Sequence, residues 1–184
     1  ALFLSQFDFQ GTAKTYLDLI AETLHKDFFG EKVGLAYTDP KMGELTMNAG
    51  VFHFNKESAD NTIALNFRYP QGVDVDGIKA GLEKLEGPKA VSLSEHGHVP
   101  HYVPVDDPMV ETLLSVYEKQ TGLKGHEQII GGGTFGRLLK RGVAYGAMFP
   151  GYVNTMHQAN EFTEVEDLYR AAAIYAEAIY ELIK

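Results

Sequence analysis

A run of glycines supplies the first residues that could bind a ligand. Residues 131–133 are glycines followed by Thr134, between a predicted brief strand and a predicted short helix. Glycines in such a place let the backbone approach a ligand closely, and main-chain amides there can hold an anion. A phosphate-binding loop would end in Gly-Lys-Ser/Thr, whereas Phe135-Gly136-Arg137 follows here, which disfavours a nucleotide site. Two interpretations remain open, a ligand-free tight turn and a carboxylate-binding loop.

A single histidine supplies the second candidate. His157 lies in the motif Met-His-Gln-Ala-Asn-Glu at 156–161, just before the last predicted helix. A neutral imidazole on a loop at the end of an element is a candidate metal ligand or catalytic group. Glu161 is the one further ligand type within four residues, and the pair matches no zinc motif. The residues alone favour an exposed or hydrogen-bonded histidine, with metal ligation as the alternative.

Arg68 is a candidate for binding a carboxylate. It lies in a predicted strand, on the face opposite Ile63, Leu65 and Phe67. A guanidinium in that position could hold a carboxylate through two parallel hydrogen bonds. The alternative is a solvent-facing arginine paired with a neighbouring acidic residue.

Three further histidines, His96, His98 and His101, lie in the proline-containing segment 95–104. In an extended chain the first two side chains would point to one face and the third to the other. We interpret this segment as a solvated linker and a domain boundary, not as a metal-binding tract.

The elements before this linker include a hairpin. Residues 44–55 and 62–69 alternate apolar and polar side chains around a polar turn, which predicts two antiparallel strands. In the first strand, the alternation places Leu45, Met47, Ala49 and Val51 together on the apolar face. Helical spacing predicts helices at 12–25 and 74–85, and 89–94 is predicted as a short strand. The order helix, strand, strand, helix, strand is that of a βαββαβ unit without its first strand.

The elements after the linker begin with a helix at 106–121. Acidic residues and Pro108 start it, and Gly122 ends it. Strands are predicted at 128–130 and 142–149.

The last element is predicted as a long helix at 163–184, with Thr163 as its N-cap and Glu166 completing a capping box. Its predicted buried stripe consists of Leu168, Ala172, Tyr175, Ala176, Ile179 and Leu182.

Composition restricts the class of protein. The chain has 184 residues, with 25 acidic and 16 basic side chains, a net charge of −9 and no cysteine. This charge opposes attraction to nucleic acid or anionic membranes, and no apolar run approaches the length of a membrane span. The absence of cysteine excludes disulfides and suits a cytoplasmic setting. The first residue is alanine, so we expect that the beginning of the protein is missing.

Three motifs taken together resemble one family. The motifs are Asn-Phe-Arg-Tyr-Pro at 66–70, Gly-Gly-Gly-Thr-Phe-Gly-Arg at 131–137 and Met-His-Gln-Ala-Asn-Glu at 156–161, with a further match at 171–184. Their order and approximate spacing resemble those of bacterial dipeptidases of the dipeptidase V type, which are carnosinase-like members of the di-zinc peptidase superfamily. That superfamily also includes aminoacylase and glutamate carboxypeptidase.

The resemblance implies an α/β fold class. An α+β lid domain with an antiparallel sheet would interrupt an α/β catalytic domain in an enzyme of more than twice this length. We expect residues 1–100 to be the second part of the lid, ferredoxin-like without its first strand. Residues 101–184 would be the C-terminal segment of the catalytic domain.

The resemblance also implies roles by position. His157 matches a metal-ligand histidine, and Arg68 matches the lid arginine that binds the substrate carboxylate. Asn160 and Glu161 would support His157 from outside the metal's ligand set, and no catalytic residue is expected within this chain. The loop whose amides meet the same carboxylate corresponds to Gly131, Gly132 and Gly133.

The implied activity is zinc-dependent hydrolysis of the peptide bond of unblocked dipeptides, with two zinc ions per intact enzyme. The other metal ligands, the general base and a lid histidine would lie upstream. We therefore expect a C-terminal portion of a metallodipeptidase that is inactive alone and does not retain zinc. Its partners would be the dipeptide and the missing N-terminal part. The alternative is a non-catalytic binding or dimerisation module that uses the lid sheet edge.

Overall fold

The chain forms two compact units, each with an apolar core of its own. The computed structural model describes residues 3–57, 60–88, 90–94, 97–131, 133–146 and 148–184. The units are Ala1–His101 and Tyr102–Lys184. The helices of both units and the small antiparallel sheets of the first confirm the predicted mixed class. The assignment of the units to a lid and a catalytic segment stays a prediction.

The first unit begins with helical structure, as predicted. A short 3-10 helix, Leu4–Gln6, precedes α1, Gly11–Leu19. The chain then continues as a π-helical turn, Ile20–Leu24, which ends where the His25 amide donates to the Ile20 carbonyl at 2.8 Å. Leu24 is buried, so the end of this segment is anchored in the core.

A hairpin forms the main sheet of the first unit. After a two-residue ladder of β1, Thr38–Asp39, and β2, Gly43–Glu44, the strands β3, Thr46–His53, and β4, Thr62–Arg68, pair antiparallel. The hairpin prediction is confirmed.

A β-bulge changes which side chains of β3 face the core. Gly50 is the extra residue, after which Val51 lies opposite Ala64. Because one extra residue reverses the alternation, Val51 is 63% exposed, although the alternating pattern placed it on the buried face. That part of the prediction is wrong.

Helix α2, Val75–Leu82, covers the core of the first unit. The Asp74 carboxylate caps it by accepting a hydrogen bond from the Gly77 amide at 2.6 Å. The helix is shorter than predicted, and Val75 is largely outside the core. The buried cluster consists of Leu24, Val33, Met47, Ile78 and Leu82.

The predicted strand at 89–94 is wrong over its described part. Residues 90–94 form no strand, and Lys89 lies outside the described residues. Val91 does pack against the core, whereas Leu93 is exposed. The apolar side chain of Val91 therefore reaches the core, but a strand also needs a second backbone segment to pair with, and an apolar pattern does not provide one.

Helix α3, Pro108–Thr121, opens the second unit. It begins two residues after the predicted start at 106 and ends at the predicted residue. The Asp107 side chain caps it by accepting from the Met109 amide at 2.9 Å, with Pro108 at the first position. Gly122 ends it in the left-handed conformation, with φ of 69°. These positions have the residue types that such caps require.

Helix α4, Val165–Ile183, closes the chain without the predicted capping box. Glu164 occupies the N-cap position and makes no side-chain capping hydrogen bond. The Thr163 hydroxyl donates to the Tyr152 hydroxyl at 3.3 Å instead. The Thr163–Glu166 capping prediction is therefore wrong, because a contact distant in sequence takes the hydroxyl.

The buried stripe of α4 also differs from the predicted one. Ala171, Ile174 and Ala178 are buried, whereas Leu168 is 56% and Ile179 is 60% exposed. This helix has apolar residues around much of its circumference, so periodicity alone does not select the face that packs. The core cluster consists of Leu113, Val116, Phe149, Ile174 and Ala178.

Two predicted strands of the second unit are absent. Residues 128–130, 142–146 and 148–149 adopt no strand, and Ala147 lies outside the described residues. The described part of this unit contains no other strand that could pair with them. A β-ladder needs two backbone segments that pair with each other, so these apolar segments form no regular strand.

Among the described residues, no helix combines the length and the apolar content that crossing a bilayer requires.

Candidate functional site

Arg68 lies at the end of β4, paired in register with Thr46. It is exposed and lies on the face opposite Ile63, Leu65 and Phe67, as predicted. Within the described part of the chain, its guanidinium forms no ion pair with a carboxylate. The structure therefore shows no acidic neighbour that would occupy this arginine.

The glycine loop is exposed at its two described positions, Gly131 and Gly133, and Gly132 lies outside the described residues. A Cβ added to Gly133 would lie 2.7 Å from Cζ of Arg137. The arginine side chain therefore lies against the loop, in the space that any larger residue at position 133 would fill. Sequence reasoning identified the glycines and missed Arg137.

A short 3-10 helix, Phe135–Leu138, follows the loop and carries Arg137. The Arg137 amide donates to the Thr134 carbonyl at 3.3 Å. Gly136 lies so close to the next segment that its Cβ would be 2.9 Å from the carbonyl carbon of Val143. Backbone contacts thus determine where this turn presents its side chains.

His157 occupies a strained loop. The φ angle of His157 is 63° and that of Asn160 is 61°, both in the left-handed region that non-glycine residues seldom adopt. The His157 amide donates to Oε2 of Glu161 at 3.2 Å. The structure therefore brings Glu161 to the backbone of His157, while the role of Asn160 stays a prediction.

Thr155 closes the same loop and was missed from the sequence. Its carbonyl accepts from the Gln158 amide at 3.0 Å, and its hydroxyl accepts from the Phe162 amide at 3.2 Å. Tyr152 adds a bond from its hydroxyl to the Phe162 carbonyl at 3.0 Å. The one sequence feature that indicates these bonds is a threonine at the start of a polar loop, because its hydroxyl can hydrogen-bond to nearby backbone groups.

The candidate residues divide between the two units. Arg68 belongs to the first, whereas the glycine loop and His157 belong to the second. No group of three or more His, Cys, Asp or Glu side chains that could hold a metal ion is found among the described residues. His157 is a single donor, so the described residues do not fit a metal ion by themselves.

The linker histidines show no metal-binding arrangement in their described part. His98 is exposed, and its carbonyl accepts from the Tyr69 hydroxyl at 3.1 Å. His96 lies outside the described residues. The described histidine side chains of this linker belong to no group that could hold a metal ion.

Sequence comparison identifies the family. The family model for Peptidase family M20/M25/M40 matches residues 11–181. The chain belongs to this family. Members of the M20 family are generally metal-dependent peptidases.

The relatives of this M20 chain are named as dipeptidases. It is 49% identical over 185 residues to the Beta-Ala-Xaa dipeptidase of Lactobacillus delbrueckii subsp. lactis, covering 100% of this chain and 39% of that protein. It is 38% identical over 183 residues to YtjP, a candidate dipeptidase of Bacillus subtilis (strain 168), covering 99% of this chain and 39% of that protein. The predicted resemblance is confirmed, and the chain spans about 39% of the length of these curated relatives.

Proposed function

We propose that this chain supplies the substrate-carboxylate site and one metal ligand of a zinc-dependent dipeptidase that cleaves unblocked dipeptides. The observation that carries the proposal is the 49% identity to the Beta-Ala-Xaa dipeptidase over the whole chain. The exposed positions of Arg68, the described loop glycines and His157 support it, since each remains accessible to a ligand.

Arg68 is proposed to bind the C-terminal carboxylate of the dipeptide. A strand holds its backbone, and no carboxylate of the described residues competes for its guanidinium. The planar guanidinium can hold both oxygens of a carboxylate, which fixes orientation as well as charge. Gly131, Gly132 and Gly133 are proposed to donate main-chain amides to a substrate carboxylate, with Gly132 resting on the resemblance alone.

His157 is proposed to be one zinc ligand, and Asn160 and Glu161 to support it. Glu161 accepts from the His157 amide, so it can hold the backbone that presents the imidazole. A catalytic zinc ion usually takes three protein ligands. We therefore propose that the remaining ligands and the general base belong to the part of the relatives' length that this chain does not match, and that this chain alone is inactive.

The experiment compares the complete protein encoded by the gene with the 184-residue chain. We expect the complete protein to hydrolyse alanyl-alanine in a chelator-sensitive reaction. We expect the chain alone to show no hydrolysis and less than one zinc ion per chain after dialysis. No dipeptide hydrolysis by the complete protein would overturn the function. Hydrolysis or stoichiometric zinc in the chain alone would overturn the proposed division of ligands.

A second candidate function is self-association through the sheet of the first unit. The β3–β4 hairpin pairs with no further strand among the described residues, and Phe52 and Phe54 are exposed near its turn. Isolated two-stranded sheets are marginally stable, and open edges are templates for pairing with another chain. Sedimentation of the metal-free chain tests this candidate: a concentration-dependent dimer supports it, and a monomer at every concentration contradicts it.

A further inference from the structure

The arginines of this chain fall into two kinds. There are four of them, and all are described. Arg141 and Arg170 form ion pairs with carboxylates, at 2.7 Å and 3.0 Å. Arg68 and Arg137 have no carboxylate partner among the described residues, although the chain carries 25 acidic side chains. Arg68 already has a proposed ligand, so Arg137 is the unexplained one.

Arg137 lies against the glycine loop. The added Cβ at Gly133 would be 2.7 Å from its Cζ and 3.3 Å from Nη2. The side chain is exposed, and none of its N–H groups donates to an acceptor among the described residues. A guanidinium with free donors therefore borders a loop whose described glycines, Gly131 and Gly133, are exposed.

Close backbone approaches hold the turn that carries this arginine. A Cβ added at Gly136 would lie 2.9 Å from the carbonyl carbon of Val143, and one added at Gly142 would lie 3.1 Å from the carbonyl carbon of Gly136. The Leu139 amide donates to the Gly136 carbonyl at 3.1 Å, which closes the turn. Because the turn is set before any ligand binds, its backbone needs little ordering on binding, and the exposed Arg137 side chain is the part that becomes ordered.

We propose that Arg137 binds the substrate carboxylate together with the main-chain amides of Gly131 and Gly133, as a specificity-determining residue. The inference rests on the proposed function, since it concerns the same substrate group. A carboxylate fits a guanidinium through two parallel hydrogen bonds, whereas an uncharged amide does not. The second unit then carries a cation of its own that contributes to selection for a free carboxylate.

The first test uses the complete protein and the variant Arg137→Gln. Its matched control is Lys140→Gln, which removes the same charge from an exposed residue of the same segment. We expect Arg137→Gln to raise KM for alanyl-alanine about tenfold or more, as for loss of a charge-assisted hydrogen bond. Hydrolysis or binding of alanyl-alanine amide should be unchanged, and Arg137→Lys should restore part of the effect. Equal KM values for Arg137→Gln and Lys140→Gln would overturn the inference.

The second test does not depend on catalysis. Alanyl-alanine and its amide are titrated into the isotopically labelled 184-residue chain, and the amide signal of Gly133 is followed. A shift that requires both the free carboxylate and Arg137 supports the inference, even if the complete protein hydrolyses no dipeptide and the proposed function fails. Hydrolysis with an unchanged KM in Arg137→Gln overturns the inference alone. Absence of both hydrolysis and any Arg137-dependent shift overturns both proposals.

Discussion

The guanidinium of Arg141 binds the carboxylate of Asp107 through two parallel hydrogen bonds. Nε donates to Oδ2 at 2.9 Å, and Nη2 donates to Oδ1 at 2.7 Å. Asp107 also accepts from the Met109 amide at the start of α3. The Arg141 guanidinium holds the pKa of the Asp107 carboxyl below its ordinary value of 3.8. One carboxylate thus ties the start of α3 to the segment that follows the glycine loop.

We predict that Arg141→Gln destabilises the chain at neutral pH. A carboxyl whose pKa is depressed in the folded state stabilises the fold above its unfolded pKa, and that stability is lost as pH falls through the folded pKa. The melting temperature of the variant should therefore lie below that of the wild type at neutral pH and approach it below about pH 3.8. Lys140→Gln removes the same charge without this partner and serves as the control. A pH-independent difference would contradict the electrostatic cause.

We predict that Tyr145→Phe weakens the packing of the second unit. The Tyr145 hydroxyl donates to the Leu113 carbonyl at 2.6 Å, and its loss should lower the free energy of unfolding by about 1 kcal/mol. Urea unfolding measures this change. Tyr180→Phe is the control, because Tyr180 is exposed and its hydroxyl makes no hydrogen bond within the described residues.

The same tyrosine predicts a loss of stability in alkali. Burial raises the pKa of Tyr145 to about 12, from an ordinary value of 10.0. A neutral acid with a raised pKa contributes stability below its unfolded pKa, and this is lost as pH rises from about 10 towards 12. Unfolding measured across that range should show a smaller alkaline decrease in Tyr145→Phe. An equal decrease in both proteins would mean that other groups cause it.

We predict that Gly136→Ala disturbs the turn that carries Arg137. The new Cβ would lie 2.9 Å from the Val143 carbonyl carbon, so the backbone must shift, at a cost of about 1–3 kcal/mol. Gly146→Ala is the matched control, because its Cβ would meet nothing within 4 Å. Thermal unfolding compares the two variants. Similar melting temperatures would contradict the close backbone contact at Gly136.

We predict that Glu161→Ala loosens the loop that presents His157. The variant removes the acceptor of the His157 amide, so exchange of that amide hydrogen should be faster by roughly fivefold. Glu161→Gln keeps an acceptor oxygen and should restore the protection, while Glu127→Ala, at an exposed residue, should have no effect. Unchanged exchange in Glu161→Ala would show that other bonds hold the left-handed conformation.

We predict that Arg68→Gln weakens dipeptide binding by the complete protein. Loss of a charge-assisted partner should reduce affinity by roughly 1.5–3 kcal/mol. The increase in KM should be large for alanyl-alanine and small for its amide. Asn66→Ala, two residues earlier on the same exposed face of β4, is the control. Unchanged KM and rate in Arg68→Gln would remove Arg68 from the carboxylate site.

Local chemistry made several features predictable. Asp107, Pro108 and Gly122 are residue types that start and end helices, and they occupy those cap and first-turn positions in α3. Alternation with a period of two identified β4 and placed Arg68 on its exposed face. The motifs sufficed for the family, because they combine several residue types in one order.

Other features depended on contacts that no local pattern contains. The bulge at Gly50 reverses the exposure of Val51, and only the pairing with β4 shows it. Residues 90–94 and 128–130 have strand-like composition, yet no ladder forms there. A strand exists only when another backbone segment pairs with it, and composition does not report the partner.

The sequence by itself determined the family, the helix caps and the residue types available for carboxylate and metal binding. The tertiary structure decided which face of α4 is buried, which arginines are already paired and that Arg137 lies against Gly133. The physical reason is that caps and alternation depend on neighbours along the chain. Burial and side-chain contacts depend on which distant segments pack together, and that packing is set only when the cores of the two units form.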